Sequence, residues 1–224
     1  MDITEIWPPY GVTITAGDLE LKVAREGDIG ELVDLVLDGI HAPEFMPFLF
    51  PWTDAPREEI PGNYVQYLAR IVAGFSPNSF SLPFVVRRHG EALGIQGLEA
   101  SSNFAITHTI ETGSWLARRF HGQGIGTRMR QAICAFAFDV LGASEVTSGA
   151  FLDNGPSQAV SRKVGYRPNG IRRLERRGQL AQEQLLVLSE PDLVRGDPIG
   201  VTGADPLLAQ LGLTTNAGAA ANNG

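Results

Sequence analysis

Arg118-Arg119-Phe120-His121-Gly122-Gln123-Gly124-Ile125-Gly126-Thr127 joins a strand-like run, Thr109 to Ala117, to an amphipathic helix. Closely spaced glycines at a strand-to-helix turn let successive backbone N–H groups converge with no Cβ in the way. The helix N-terminus behind them carries partial positive charge, which suits a phosphate or diphosphate. The glycine spacing is not Gly-x-Gly-x-x-Gly, and no acidic residue sits at the distance a ribose would need. No Lys-Ser or Lys-Thr follows the last glycine, so the stretch is not a P-loop. NAD and ATP readings lose ground, leaving a diphosphate held mainly by main chain beside the plainer alternative of a tight turn.

The helix that follows, Thr127 to Leu141, places Met129, Ile133, Phe136 and Val140 on one face and stops at Gly142. Upstream, Val12-Thr13-Ile14 and Leu19 to Val23 read as a hairpin around Ala16-Gly17-Asp18. Ile29, Leu32, Val33, Val36 and Ile40 recur at helical spacing after a capping Asp28. The proline-rich stretch from Ala42 to Pro56 reads as a loop, apolar for its kind, with Phe45, Met46, Phe48, Leu49, Phe50 and Trp52. Arg57 to Phe75 is expected to be helical, burying Tyr64, Tyr67, Leu68, Ile71 and Val72. Leu82 to Arg88 and Ala92 to Ala100 read as paired strands about His89-Gly90-Glu91. Ser144 to Phe151 reads as a strand, Pro156 to Lys163 as a short helix capped by Asn154 or Asp153, and Tyr166 to Arg177 and Gln184 to Leu188 as the last strands.

Length suits one domain with a tail: residues 1–194 as the folded domain, and 195–224, rich in Gly, Ala, Asn, Thr and Pro, as a low-complexity segment expected to be disordered. Pro206 to Leu211 has the makings of one helical turn. A hydrophobic content of 43% is enough for a substantial core. A formal charge of −7 argues against a nucleic-acid partner. The single cysteine, Cys134, can form no internal disulfide and falls beside the apolar face of its helix, so packing is the expectation. With no basic-apolar leader at Met1-Asp2-Ile3-Thr4-Glu5 and no run of membrane-spanning length, a cytoplasmic protein without a membrane partner is expected.

A second segment sharpens the reading: Asp153-Asn154-Gly155-Pro156-Ser157-Gln158-Ala159-Val160-Ser161-Arg162-Lys163-Val164-Gly165-Tyr166. The pair of segments resembles the GCN5-related N-acyltransferase (GNAT) superfamily. Gln123, Gly124 and Gly126, or Arg119, Gly122 and Gly124 in an earlier register, match its pyrophosphate loop. Asn154, Ser157, Val160, Lys163, Gly165 and Tyr166 match its Asn-x-x-Ser element. Ser157 resembles the branch that acylates ribosomal-protein N-termini. Met46-Pro47-Phe48, Pro51-Trp52-Thr53, Gly113-Ser114-Trp115-Leu116 and Val160-Ser161-Arg162 resemble a bacterial, actinobacterial subgroup in which some members use succinyl-CoA.

The resemblance implies an α/β fold whose mixed, mostly antiparallel sheet is flanked by helices and splays at its centre. It implies transfer of an acetyl or succinyl group from CoA to a primary amine, without metal. Acetyl-CoA is the default donor and succinyl-CoA its competitor. The acceptor is a protein N-terminus, a lysine or a small molecule, and the protein a homodimer or larger homo-oligomer; a CoA-binding sensor of the same fold without catalysis is the alternative. Trp115, Leu116 and Ala117 would offer main chain to pantetheine amides. Arg119, His121, Gly122, Gln123, Gly124, Ile125, Gly126 and Thr127 would hold the diphosphate, with Asn154, Ser157 and Arg162 contributing from the second segment.

Amine attack also calls for a base and a leaving-group acid. The tyrosine that relatives carry as acid would fall at Ser161, so this chain lacks it. Ser157 either bonds the cofactor sulfur or satisfies a helix-start N–H. Glu111 and Ser114 are the strand candidates for base, on opposite faces by alternation, with Glu99 and His108 behind them. Arg128 stands where serine-branch relatives place a glutamate, and could meet a phosphate. Arg172, Arg173, Arg176 and Arg177 read as a solvated strand face; under a succinyl donor, one of them or an early-loop residue could hold the terminal carboxylate.

Overall fold

The computed structural model describes residues 1–100 and 103–213. It is built on one sheet of nine strands: β1 (Thr13–Ala16), β2 (Leu19–Val23), β3 (Phe80–Arg88), β4 (Glu91–Ala100), β5 (Thr109–Leu116), β6 (Glu145–Phe151), β7 (Arg167–Arg176), β8 (Gln179–Leu188) and β9 (Ile199–Thr202). Among the described residues seven α-helices accompany it: α1 (Ile3–Ile6), α2 (Ile29–Asp38), α3 (Ile60–Gly74), α4 (Phe104–Thr107), α5 (Ile125–Asp139), α6 (Gly155–Val164) and α7 (Ala204–Leu211). The strands lie in the order β7-β8-β6-β5-β4-β3-β2-β1-β9. Every neighbouring pair is antiparallel except β5 and β6, which run parallel because α5 carries the chain between them.

Helices cover both faces of the central strands, and this explains why β3 reads as the unbroken apolar run Leu82-Pro83-Phe84-Val85-Val86, all buried. The apolar stripe of α2 delivers Leu32, Val33, Leu35 and Val36 to one face. On the opposite face α5 buries Met129, Ile133, Cys134, Phe136 and Ala137. α3 starts later than expected, at Ile60. It buries Tyr64 and Leu68 while leaving Tyr67 and Val72 exposed, because only one narrow stripe of it meets β3.

The segment from 195 departs from expectation. Ile199–Thr202 adds β9 to the outer edge of β1, with Thr13 opposite Thr202 and Ala16 opposite Ile199. α7 then buries Leu207, Leu208 and Leu211 against the 3-10 turn Pro8–Gly11. Glycine, alanine and proline set the average composition here, but the helical spacing of those leucines decides the structure. The expected disorder does not apply to 195–213; residues 214–224 lie outside the described residues.

Arg128 is likewise committed elsewhere than expected. Its guanidinium meets Asp18 at 2.6 Å and Asp197 at 2.9 Å, tying the start of α5 to the β1–β2 turn and the approach to β9. Its charge is spent on carboxylates, so it is not directed at a phosphate.

Candidate functional site

The ladder between β5 and β6 is short. Thr109, Ile110 and Glu111 face Glu145, Val146 and Thr147, and beyond that the two strands part. At the apex of the gap the Ser148 hydroxyl donates to the Thr112 carbonyl at 2.9 Å, doing the work of a missing ladder bond. Thr112 therefore turns its main chain toward the gap, and alternation gives the same direction to Ser114 and Leu116. On the other edge β5 stays paired to β4 as far as Leu116 opposite Gly94.

β5 ends in the glycine turn. Gly122 has φ +74° and Gly124 φ +79°, conformations that L side chains rarely adopt, and open space lies where a Cβ would project from either. The amides of Gly122, Gln123, Gly124, Ile125 and Gly126 donate to no acceptor among the described residues; the first turn of α5 closes only through Thr127 and Arg128 onto the Gly124 carbonyl. An array of unsatisfied N–H groups at a helix N-terminus is an anion site by construction. At Gly126 a Cβ would stand 3.6 Å from Val160, an ordinary contact where α5 meets α6.

α6 begins beside this turn. The Asn154 side chain accepts from the Ser157 amide at 3.2 Å, a cap that explains why the helix starts there. Its Nδ2 and the Ser157 hydroxyl make no hydrogen bond among the described residues. Ser161, where the tyrosine acid was missing, is buried and donates to the Ser157 carbonyl.

The two faces of the gap differ in charge. On one lie Glu111 and Trp115 of β5, with Glu99 directly across on β4. Glu183 of β8, buried, lies over Gly149 of β6, so close that a Cβ there would have to displace its carboxylate. Glu111 is exposed at the mouth of the gap, yet its carboxyl titrates above the usual glutamate value, first through burial by the surrounding strands and then through repulsion from Glu99 and Glu183. On the other face Ser114 and Ser148 point toward α5, where both accept from the buried Arg130, at 2.9 and 3.3 Å.

The acetyltransferase (GNAT) domain family model matches residues 18–167. The chain belongs to this family. It is an N-acyltransferase that draws its acyl group from coenzyme A. Among solved structures this GNAT chain is similar to the ribosomal L7/L12 α-N-protein acetyltransferase RimL in complex with coenzyme A, with TM-score 0.63 and 20% identity over 78% of this chain and 95% of that one. It is similar to Mycobacterium smegmatis RimJ in complex with a CoA disulfide, with TM-score 0.66 and 20% identity over 91% of this chain and 95% of that one. Ribosomal-protein-S5-alanine acetyltransferase from Vibrio fischeri follows at TM-score 0.62 and 16% identity, over 81% and 98%. Identities this low speak for the fold.

Several candidate side chains of this GNAT enzyme are turned away from the turn or gap. Arg119 stacks on Phe120 and pairs with Asp38 and Glu91, so in this fold its charge is already met. His121 bonds the Leu116 carbonyl at 2.9 Å, so at that residue the N–H rather than the carbonyl is left for the edge. The Gln123 amide folds back onto the Arg119 carbonyl. Arg162 is exposed on the last turn of α6. Arg172, Arg176 and Arg177 are not a solvated row: they pair with Glu183, Asp153 and Asp54. The last two clamp the apolar loop 42–56 over the gap, and there Trp52 meets Trp115 at 6.4 Å between ring centres.

Cys134 is fully buried, its thiol pushed up to about 11 by burial, and packs against Tyr166 as expected of a core residue. His108 bonds the Gly142 carbonyl beyond the closed end of the ladder. Sequence reasoning passed over Arg130 and Glu183. Arg130 lies within the buried face of α5, but no short motif pairs it with serines of two strands. Among the described residues no helix is long and apolar enough to cross a membrane, and no cluster of His, Cys, Asp and Glu has the makings of a metal site. An apolar groove of about 420 Å³ between α3, β2 and the N-terminal turn is lined by other residues, among them Trp7, Tyr10, Leu68 and Phe75.

Proposed function

We propose that this enzyme transfers an acetyl group from acetyl-CoA to a protein α-amine, with the diphosphate on the Gly122–Gly126 amides and pantetheine along the open edge of β5. The unsatisfied amide array at the start of α5, reached directly from that edge, carries the reading. Pantetheine amides have the Ser114 and Leu116 main chain to pair with, as an added strand would. The cofactor then approaches the apex of the gap from the α5–α6 face, with Ser157 and Asn154 alongside. The acceptor comes from the opposite face, under the loop clamped by Arg176 and Arg177.

The amine nitrogen attacks the thioester carbon. The C–N bond forms and the carbonyl becomes an oxyanion held by main-chain N–H groups. The C–S bond then breaks and its electron pair leaves on sulfur. Glu111 takes the proton from the amine, directly or through water. Its raised pKa brings it closer to the working pH and makes it the better base. Glu99 adds to the negative field that favours a cationic acceptor, while Glu183 is met by Arg172. Acetyl-CoA is preferred over succinyl-CoA because Arg172, Arg176 and Arg177, which could have held a terminal carboxylate, are already paired. A protein N-terminus is preferred because two of the similar structures named above are acetyltransferases of ribosomal proteins, one of them an α-N-protein acetyltransferase.

Thiol release measured with acetyl-CoA and with succinyl-CoA, against N-terminal peptides, lysine peptides and polyamines, tests the assignment. Turnover with acetyl-CoA and an N-terminal peptide supports it. Preference for succinyl-CoA, or for a polyamine over every peptide, overturns the corresponding half.

A further inference from the structure

Arg130 is a feature of the gap that the reaction above leaves unexplained. It is 4% exposed. Its partners are two neutral hydroxyls, Ser114 and Ser148, and its Nε has none; the titratable groups beside it, Cys134 and Tyr166, are both pushed up by burial, and no carboxylate among the described residues meets any of its nitrogens. A guanidinium withdrawn from water without a counter-ion is unfavourable unless an anion arrives at some stage. Its placement says where that anion appears. Ser114 and Ser148 stand on the two diverging strands, and Arg130 spans them immediately behind the apex. Ser148 uses its own proton on the Thr112 carbonyl. Ser114 is half-buried and, with its oxygen accepting from Arg130, has its proton left over for the gap.

We propose that Arg130 is a positioning residue for the departing sulfur: through the Ser114 hydroxyl it holds the negative charge of the CoA thiolate. This rests on the acetyl-CoA reading above. When the C–S bond breaks, its electron pair stays on sulfur, while the proton given up by the amine is on Glu111. The sulfur leaves as an anion into a low-dielectric pocket already carrying an unspent positive charge, where the attraction is strong. The charges across the gap are thus ordered for the reaction, with carboxylates on the side that receives an amine and its proton and a guanidinium on the side that receives the leaving group. No tyrosine acid is needed at Ser161 if the thiolate is stabilised as such.

The test compares binding of CoA, which has a free thiol, with acetyl-CoA, which has none, by calorimetry across about pH 6 to 10. In the wild type, CoA gains on acetyl-CoA as pH rises, by about tenfold for each unit by which the bound thiol pKa is lowered. Arg130→Met abolishes that gain and lowers kcat at least about tenfold, with KM for acetyl-CoA nearly unchanged. Arg130→Lys, which keeps the charge, retains most of the gain. Ser114→Ala, at a half-exposed position with little folding risk, loses much of it. Wild-type binding with no pH gain, or the full gain surviving in Ser114→Ala and in folded Arg130→Met, overturns the proposal while leaving the acetyl-CoA reading intact. Wild-type protein that binds neither ligand sinks that reading, and this proposal with it.

Discussion

The turn at Gly122–Gly126 and the gap between β5 and β6 are neighbours, but they are made of different materials. The turn is main chain: five consecutive amides with no internal acceptor, held apart by two glycines in left-handed conformations. The gap is side chain: Glu99 from β4, Glu111 and Ser114 from β5, Ser148 from β6, Glu183 from β8 and Arg130 from α5. A main-chain site tolerates any side chain that leaves the backbone geometry alone. A side-chain site depends on each identity and on the strand order that assembles it, so binding and chemistry are separable by mutation.

Glu111→Gln puts the separation under the heaviest load. Loss of the base lowers kcat/KM by roughly a hundredfold or more, while calorimetric affinity for acetyl-CoA changes little. Stability moves the other way. The folded-state pKa of Glu111 lies above its unfolded value, so its favourable contribution is complete only below the usual glutamate pKa and is lost as pH climbs through the raised one. Gln keeps the neutral form, so the variant equals or exceeds wild-type Tm at neutral pH, and the difference closes on acidification. In the wild type, kcat/KM rises with pH through that same raised pKa.

Gly124→Val is the mirror experiment. A β-branched residue at φ +79° strains the turn, and CoA affinity falls by roughly ten- to a hundredfold, about 1–3 kcal/mol. At saturating acetyl-CoA, kcat is largely preserved; equal loss in kcat would break the distinction between the two regions. Asn154→Ala removes the cap of α6 and costs about 1 kcal/mol, read as a shift in the urea midpoint at unchanged m. Ser157→Ala has the smallest effect, a few-fold in kcat, because Arg130 and Ser114 carry the leaving-group charge; a loss beyond about a hundredfold would make Ser157 the acid and demote them.

The same difference in material explains what could be read before folding. The glycine turn, the Asn154 cap and the strand–helix alternation are local patterns, and they stand where the residues predict. The opposite facing of Glu111 and Ser114 follows from strand periodicity alone. Glu183 reaches the gap only because β8 returns to pair with β6, and Arg130 only because α5 crosses behind two strands that its own sequence does not mention. The partners of Arg128, Arg176 and Arg177 include Asp18, Met46 and Asp54, each more than a hundred residues away, so an arginine row that looks solvated becomes a clamp. Within 199–211 the sequence offers only a helical turn at Pro206 to Leu211, and β9 is missed, because small residues dilute the apolar pattern around the three leucines that anchor α7.

β9 has a consequence for how the chain comes to be folded. Thr13 waits for Thr202, so during synthesis the β1–β2 hairpin exists with a naked hydrogen-bonding edge until residues 199–202 have emerged. Joining two strands so distant in sequence is a late and entropically slow event. For that interval the nascent protein is a target for strand-to-strand association with its own copies, and a chain cut short before residue 199 would carry the hazard permanently.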